Sequence, residues 1–460
     1  MTADQCHVFK TFRDPAGSLR IEEDRVLRSV QAKYAASTRA FLESETACTW
    51  VKAGWMVSSR MLGVRADGTL EIEHDRIFFP SYPWEWCIEQ WASAAMLTLD
   101  LCAKLIGQGM ILKDATPLNI LFSGTQPVLV DVLSIETRER TNPLWNAYGQ
   151  FVRTFLLPMI AYKYLGWPLK ASCFRRDGYE PETLYAALSW TQLLRPTLWS
   201  SVALPVLLEN TSRKRSSRST LQLSADAAED VLLRRLSALK RTVKNLQPQR
   251  ERSRWSDYEE TAQHYSADDH SRKHKFVDEA LGIAQPGTVL DIGANTGTYS
   301  RIAARRGAHV VALDTDAAAT SLNFERAREN GDAILALHAD IARPTPADGW
   351  RNRESLSLLG RCTLRFDCIL LLGVLHHLLV TDQIPLKEIA QLFTDIGPRW
   401  LVVEWIPPSD EKFKEICRGR EDLYGWLSER DLLAAFDAHY RCRLREQLDN
   451  GRSLLLLEAR

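Results

Sequence analysis

The chain has 460 residues, enough for roughly two to four domains, and its content of hydrophobic residues (45%) and charged residues (25%) is ordinary for a folded protein. Its formal net charge is zero, so no global field attracts the chain to nucleic acid or to a membrane surface. Nine cysteines are scattered without a Cys-x-x-Cys pair, which argues against a disulfide framework or a zinc site and favours reduced thiols in a cytosol.

The ends and the apolar runs of the chain give no membrane signal. The N-terminus has no apolar signal region, and the longest apolar runs, Phe155–Pro168 and Trp199–Leu208, are short and interrupted by proline. We therefore expect a cytoplasmic protein with no transmembrane segment. We expect no nucleic-acid partner and no bound metal.

The first hundred residues mix helical and strand patterns. A charged helical pattern covers Ile21–Leu42, and apolar residues recur at helical spacing over Trp91–Ile106. Asp67-Gly68 is a hairpin signal, and the aromatic segment Ser81–Trp86 is typical of core packing. The predicted strands are Val51–Ser58, Met61–Arg65 and Thr69–His74.

Three polar residues in the next segment are arranged like the metal site of a phosphotransferase. Asp114 is followed five residues later by Asn119, then by a hairpin pattern around Gly124 that closes at Asp131. In protein kinases a loop acid, an Asn metal ligand and a metal-binding acid occur in this order. The segment therefore resembles the core of a kinase-like C-terminal lobe.

The departures from that pattern leave two alternatives open. Leu112 stands where kinases have His, and Val132 and Leu133 replace Phe-Gly. No Gly-rich loop occurs in the first hundred residues, which leave little room for a full N-terminal lobe. Either the three polar residues hold a metal and a phosphate, or the domain is a degenerate scaffold in which they cap loops.

The middle of the chain should end this first domain and join it to a second. Helical periodicity continues over Trp145–Leu165 and Pro181–Leu194, which should complete a domain of residues 1–210. Residues 211–254 are rich in Lys and Arg, and Thr211–Thr220 is an expected flexible linker. An amphipathic helix then places five apolar residues on one face, from which we expect packing against a neighbouring domain. These residues are Leu232, Leu236, Leu239, Val243 and Leu246.

From residue 255 onwards strands alternate with helices, which predicts a parallel α/β sheet with a terminal antiparallel hairpin. The predicted strands are Thr288–Asp291, His309–Asp314, Ala333–His338, Asp367–Leu372, Leu401–Trp405, Tyr440–Gln447 and Ser453–Glu458. The predicted helices are Lys275–Ile283, Tyr299–Arg306, Ala317–Asn330 and Leu386–Phe393.

The segment Val289–Gly297, with the sequence VLDIGANTG, joins the first strand of this sheet to a helix. Gly293 and Gly297 permit a tight turn, and Asn295 between them tolerates a positive φ. The spacing is not the G-x-G-x-x-G of a nicotinamide fold, because Asn295 and Thr298 replace its second and third glycines. Ligands bind such open sheets beyond the strand ends, where Asp291 lies.

This pattern resembles motif I of class I S-adenosylmethionine-dependent methyltransferases. The resemblance implies that Asp291 reaches the methionine amino group of the cofactor, directly or through water. It also implies that Asp314 accepts the ribose hydroxyls, that Asp340 contacts the adenine amino group, and that Gly373 begins a loop near the methyl group. Gly293, Asn295 and Gly297 complete the expected cofactor-binding set.

Three residues are candidates for the chemistry on the acceptor. His376 and His377 follow Gly373 in the sequence GVLHHL, and either imidazole can serve as a general base. The alternative is that one histidine orients the loop while the other packs on the cofactor. Glu404, at the end of the fifth strand, is a candidate for substrate contact.

The two halves together resemble a bacterial group of two-part methyltransferases with a kinase-like leader, which includes NoeA-like host-specific nodulation proteins of rhizobia. LKDATPLN and PVLVD carry the likeness in the leader, and Trp255–Tyr258, Gly349-Trp350, Glu404-Trp405 and Arg418–Tyr424 carry it in the second half.

The resemblance implies an α/β protein in which a doubly wound, Rossmann-like sheet at 255–460 follows an α+β kinase-like domain. It implies methyl transfer from S-adenosylmethionine to an unidentified small-molecule or glycan acceptor, for which a carbohydrate or lipo-oligosaccharide suits the nodulation context. Two alternatives stay open. One is a cofactor-binding module without turnover, and the other is a bifunctional enzyme with an active phosphotransferase leader.

Overall fold

A computed structural model describes residues 9–11, 13–22, 25–212, 223–247 and 267–460. The chain divides into two compact units, Met1–Arg250 and Glu251–Arg460. Most of the predicted linker and the segment Trp255–Tyr258 lie outside the described residues. No helix in the described ranges is both long and apolar enough to cross a membrane.

The N-terminal unit begins with a five-stranded antiparallel sheet in the order β1-β2-β3-β5-β4. Its strands are β1 (Phe9–Lys10), β2 (Gly17–Glu22), β3 (Arg25–Val30), β4 (Ser59–Val64) and β5 (Leu70–His74). The hairpin predicted at Asp67-Gly68 is confirmed, because β4 and β5 pair on either side of it. The first hundred residues, predicted to leave little room for a full N-terminal lobe, thus contain a five-stranded antiparallel sheet.

Two predicted elements in this region were also wrong. The first half of the helix predicted over Ile21–Leu42 is strand, and only α1 (Ala32–Leu42) is helical. The charges in this stretch form ion pairs between strands instead of along a helix face, as Arg25 does with Glu73 at 2.6 Å. The strand predicted over Val51–Ser58 begins inside α2 (Glu45–Lys52), whose N-cap is Ser44.

Helix α3 (Ile88–Ile106) agrees closely with the predicted helix Trp91–Ile106 and is buried along most of its length. The predicted hairpin is formed by β7 (Ile120–Ser123) and β8 (Gln126–Leu129). The aromatic segment packs in the core as expected: the ring of Trp86 lies 5.0 Å from that of Phe122, centroid to centroid. Two further short strands, β6 (Met110–Leu112) and β9 (Ile135–Thr137), pair with each other in antiparallel fashion.

The remainder of this unit is helical. It consists of α4 (Tyr148–Phe151), a π-helical segment (Val152–Leu156), α5 (Leu157–Leu165), α6 (Pro181–Ala187), α7 (Trp190–Leu193), α8 (Pro196–Leu198), a second π-helical segment (Trp199–Ala203), α9 (Leu204–Ser212) and α10 (Ala225–Leu246). The five apolar residues predicted for one face of α10 are all buried, and α10 packs along α3. This helix therefore belongs to the N-terminal unit.

The C-terminal unit is a seven-stranded sheet in the order β12-β11-β10-β13-β14-β16-β15. The strands are β10 (Thr288–Ile292), β11 (His309–Asp314), β12 (Ile334–His338), β13 (Cys368–Leu371), β14 (Trp400–Trp405), β15 (Tyr440–Gln447) and β16 (Ser453–Ala459). The first five pair in parallel, and β16 is antiparallel to both of its neighbours. The predicted doubly wound fold with its terminal hairpin is confirmed.

Helices connect these strands and cover the sheet. They are α11 (Ala267–Ala284), α12 (Thr298–Arg305), α13 (Ala317–Asn330), α14 (Leu358–Cys362), α15 (Leu386–Ile396), α16 (Glu411–Cys417) and α17 (Glu429–Phe436). The strand order reverses at β10, the point at which an open α/β sheet leaves a crevice at its carboxyl edge. The residues predicted to bind the cofactor follow these strand ends.

Candidate active site

Asp291 lies near the end of β10, where it is 2% exposed. Ser300 on α12 donates a hydrogen bond from Oγ to Asp291 Oδ2 at 2.6 Å. Burial raises the pKa of Asp291 to about 6, since a carboxylate loses solvation there, although the Ser300 hydrogen bond acts in the opposite direction. The site therefore holds a buried acid that a cationic ligand group would stabilise in its charged form.

The turn after β10 has the left-handed backbone that the sequence predicted. The φ angles are +69° at Gly293, +49° at Asn295 and +84° at Gly297. A Cβ at Gly293 would overlap Val374, and one at Gly297 would overlap Asn323. The glycines thus let this turn approach the loop after β13 and helix α13, a packing role that the sequence pattern did not reveal.

Asp314 ends the neighbouring strand β11 and holds this turn in place. Its carboxylate accepts hydrogen bonds from the backbone N–H of Asn295 (2.7 Å) and of Asp316 (2.8 Å). Burial raises the pKa of Asp314 as well. Because β10 and β11 are adjacent parallel strands, the buried carboxyl group of Asp291 and the half-buried one of Asp314 lie at the same edge of the sheet.

The two carboxyl groups fit S-adenosylmethionine. That ligand carries an ammonium group and a ribose diol, which suit one charged and one hydrogen-bonding carboxylate respectively. Burial destabilises the ionised form of both carboxyl groups, and a bound cation or pair of hydroxyl groups would offset this cost.

Asp340 and Gly373 follow β12 and β13. Asp340 accepts a hydrogen bond from the Ala342 backbone at 2.8 Å and pairs with Arg343 at 2.9 Å. Gly373 has a φ of +72°, and a Cβ there would lie 3.7 Å from Glu404 Oε2. Two contacts stay predictions: that of Asp340 with the adenine and that of Gly373 with the cofactor.

His376 and His377 lie side by side in the loop after β13, with ring centroids 4.2 Å apart. His376 is buried, and its Nδ1 has no hydrogen-bond partner in the part of the chain that the structure describes. Burial lowers the pKa of His376 to about 3 and also lowers the pKa of His377. His376 is therefore a neutral imidazole with one unsatisfied nitrogen.

Glu404, the third catalytic candidate, lies at the centre of a buried ion-pair network. Its side chain is fully buried and pairs with Lys273 at 2.7 Å and with Arg452 at 3.4 Å. Arg452 also pairs with Asp410 at 2.8 Å. An acceptor can contact the Glu404 carboxylate only if one of these pairs opens, so the arrangement favours a positioning role.

Sequence reasoning missed the two cations of this network. Lys273 lies on α11, and its Nζ is 4.9 Å from the ring centroid of Tyr299. Arg452 is 4% exposed at the side chain and follows the turn at Gly451. The one available signal was the position of Arg452 directly before the apolar run of β16, where a charged side chain is unusual unless it is paired.

In the N-terminal unit, Asp131 of the predicted metal-binding set pairs with a cation of the protein itself. Arg28, 8% exposed, pairs with Asp131 through Nη1 at 2.9 Å, and its Nε donates to His74 Nε2 at 3.1 Å. Asp131 also accepts a hydrogen bond from the Leu133 backbone at 3.3 Å. Burial raises the pKa of Asp114. This arrangement favours the scaffold alternative, because the acid expected to bind a metal already has a counter-ion.

Comparisons with known proteins bear on the C-terminal unit and on the chain as a whole. Residues 259–439 match the family model described as a methyltransferase domain. The nodulation protein NoeA of Rhizobium meliloti (strain 1021) is 28% identical over 449 residues, which cover 94% of this chain and 91% of NoeA.

Two solved structures also resemble this chain. The first is WbdD, at 16% identity and a TM-score of 0.32, with 42% of this chain and 40% of that chain covered. The second is the N-methyltransferase NodS of Bradyrhizobium japonicum WM9 with S-adenosyl-L-homocysteine, at 15% identity and a TM-score of 0.31, with 42% and 88% covered. The match thus spans less than half of the WbdD chain.

Proposed function

We propose that this S-adenosylmethionine-dependent methyltransferase methylates a carbohydrate or a lipid-linked oligosaccharide. The observation that carries the acceptor class is the likeness to a nodulation protein along 94% of the chain, which includes both units. The reaction itself belongs to the C-terminal unit, where the methyltransferase-domain match and the paired carboxyl groups of Asp291 and Asp314 coincide.

The residues at the strand ends would bind and align the two reactants. When bound, S-adenosylmethionine supplies a methyl group on a positively charged sulfur. Asp291 would hold the ammonium group of that ligand and Asp314 its ribose hydroxyls, which fixes the position of the methyl group. Methyl transfer depends mainly on such alignment and on exclusion of water.

His376 would accept the proton of an acceptor hydroxyl at Nδ1, a buried nitrogen without a partner in the described structure, which the loop must uncover when the acceptor binds. Its lowered pKa makes it a weak base, so it would take the proton late, when the attacking oxygen has become acidic. The Glu404 network lies behind Gly373 at the start of this loop, where it would hold the loop in position.

The affinity for S-adenosylmethionine should fall as the pH drops through about 6. Asp291 has its pKa raised to about 6, so it is charged above that pH and protonated below it. Protonation removes the partner of the ligand's ammonium group. Isothermal titration calorimetry across this range should show the loss in wild type and a weak, flatter profile in Asp291→Asn. An affinity in wild type that does not change with pH would contradict the assignment of Asp291.

The bifunctional alternative has less support than the scaffold reading. Arg28 pairs with Asp131 at 2.9 Å, so this acid has a counter-ion without a metal. On this observation we propose that the N-terminal unit is a scaffold and carries out no phosphoryl transfer.

The proposed acceptor class is tested by incubating the protein with methyl-labelled S-adenosylmethionine and a bacterial cell extract. Label should enter a fraction that contains carbohydrate, and mass spectrometry should find one added methyl group on a glycan. His376→Ala should slow labelling by about 10²–10⁴-fold, whereas His439→Ala, outside the site, should not. Label found only on protein or nucleic acid would overturn the acceptor class.

A further inference from the structure

Lys273 is a buried cation close to two acids of the C-terminal sheet. Its side chain is 8% exposed, and its Nζ lies 2.7 Å from Glu404 Oε2 near the end of β14. The Nζ is also 4.9 Å from the ring centroid of Tyr299 on α12. Tyr299 directly precedes Ser300, whose hydroxyl donates to Asp291 near the end of β10 at 2.6 Å. These contacts place the ammonium group at the carboxyl edge of the sheet, near both Asp291 and Glu404.

The charge of Lys273 acts on Asp291 as well as on Glu404. Burial raises the pKa of Asp291 to about 6, and the positive charge of Lys273 acts in the opposite direction. Strand β13 lies between β10 and β14, and Gly373 follows it. A Cβ at Gly373 would be 3.7 Å from Glu404 Oε2, the oxygen that Lys273 holds. Lys273 thus adjoins the crevice in which the cofactor is expected.

The amino-acid end of S-adenosylmethionine carries two charges on one carbon atom, an ammonium group and a carboxylate. When Asp291 holds the ammonium group, the carboxylate lies beside it and needs a cation of its own, because the site is buried. Arg452 is the other buried cation of this cluster, and Asp410 already holds it through two hydrogen bonds of 2.8 and 3.2 Å. An ammonium group has three N–H donors, so Lys273 can hold a second carboxylate and keep Glu404.

We propose that Lys273 binds the carboxylate of the methionine part of S-adenosylmethionine while it stays paired with Glu404. The inference rests on the proposed contact of Asp291 with the ammonium group, and it does not depend on the acceptor class. Each charge at the amino-acid end of the ligand then meets a charge of opposite sign, which fixes the direction of that end. Because Glu404 adjoins Gly373, Lys273 also connects the bound cofactor to the start of the loop that carries His376.

The test is isothermal titration calorimetry of the full chain with S-adenosylmethionine and with its decarboxylated analogue. The analogue keeps the ammonium group, the sulfonium and the adenosine but lacks the carboxylate. Wild type should bind S-adenosylmethionine about tenfold more tightly or better, the effect of one hydrogen bond between charged groups. Lys273→Met should bind the two ligands with equal affinity. The matched control is Lys275→Met, which removes an exposed lysine of the same helix and should keep the preference of the wild type.

Circular dichroism checks that each variant is folded, and the comparison of the two ligands in wild type needs no variant. Equal affinity of the wild type for both ligands would overturn the proposal, as would a preference that Lys273→Met retains. Asp291→Asn should weaken the binding of both ligands, since both carry the ammonium group. If it weakened neither, the ammonium contact on which the inference rests would be wrong. A wrong acceptor class would leave all of these affinities unchanged, because no acceptor is present.

Discussion

Glu404→Gln is expected to destabilise the C-terminal unit by about 3–5 kcal/mol, the range for removing one partner of a buried ion pair. Glu404 has no exposed surface, and its carboxylate pairs with Lys273 and Arg452, whose side chains are 8% and 4% exposed. The glutamine is nearly the same size, so the packing survives. The two cations lose their shared counter-ion, although Arg452 retains Asp410.

Urea unfolding, followed by circular dichroism, measures this loss. The matched control is Glu446→Gln in the same unit, which breaks the surface pair with Arg272 at 2.9 Å and should have a far smaller effect. If both variants unfold at the same urea concentration, the buried network does not stabilise the fold as we infer. Methyl transfer by the folded fraction of Glu404→Gln then reports whether the network also positions the loop of His376.

Asp131→Asn should destabilise the N-terminal unit by about 2–3 kcal/mol, the range for losing a hydrogen bond to a charged group. We expect phosphoryl transfer in neither wild type nor the variant. The change leaves the Arg28 guanidinium buried without its carboxylate. The neighbouring His74 cannot supply a negative charge, because an imidazole is neutral or positive; burial lowers the pKa of His74 to about 3 and keeps it neutral. Methyl transfer should fall no further than the amount of folded protein does.

ATP consumption and methyl transfer are measured side by side in wild type and Asp131→Asn. Asp230→Asn is the control in the same unit, because its pair with Arg234 is exposed and contributes little. ATP-dependent phosphorylation in wild type that the Asp131 variant loses would overturn the scaffold reading. It would establish a bifunctional enzyme instead.

The sequence predicted the C-terminal sheet well because its elements are encoded locally. Buried parallel strands such as β11 are continuous apolar runs, and acids such as Asp314 mark their ends. The charged segment before α1 was misread because its pattern reflects partners on other strands. Arg20 pairs with Glu71, 51 positions away, which no local period reveals.

The candidate site likewise contains residues that a local motif reveals and residues that depend on partners far away in the sequence. Asp291 and the glycines form a local motif and could be found from their spacing. Lys273 is 131 positions from Glu404, and nothing in the sequence distinguishes it from the other basic residues. Arg452 is 48 positions from Glu404 and is marked only by its place directly before the apolar run of β16. The unsatisfied Nδ1 of His376 likewise depends on the packing around the loop and not on the GVLHHL pattern.

Titration of S-adenosylmethionine into wild type and Asp314→Ala tests the central claim most directly. We expect wild type to bind S-adenosylmethionine and not NADH. Asp314→Ala should lose about 1–3 kcal/mol of binding free energy, because the ribose hydroxyls lose their acceptor and the Asn295 turn loses its anchor. Asp437→Ala, which removes an exposed carboxylate of the same unit, should bind like wild type. Unchanged affinity in Asp314→Ala, or binding of NADH in place of S-adenosylmethionine, would contradict the account.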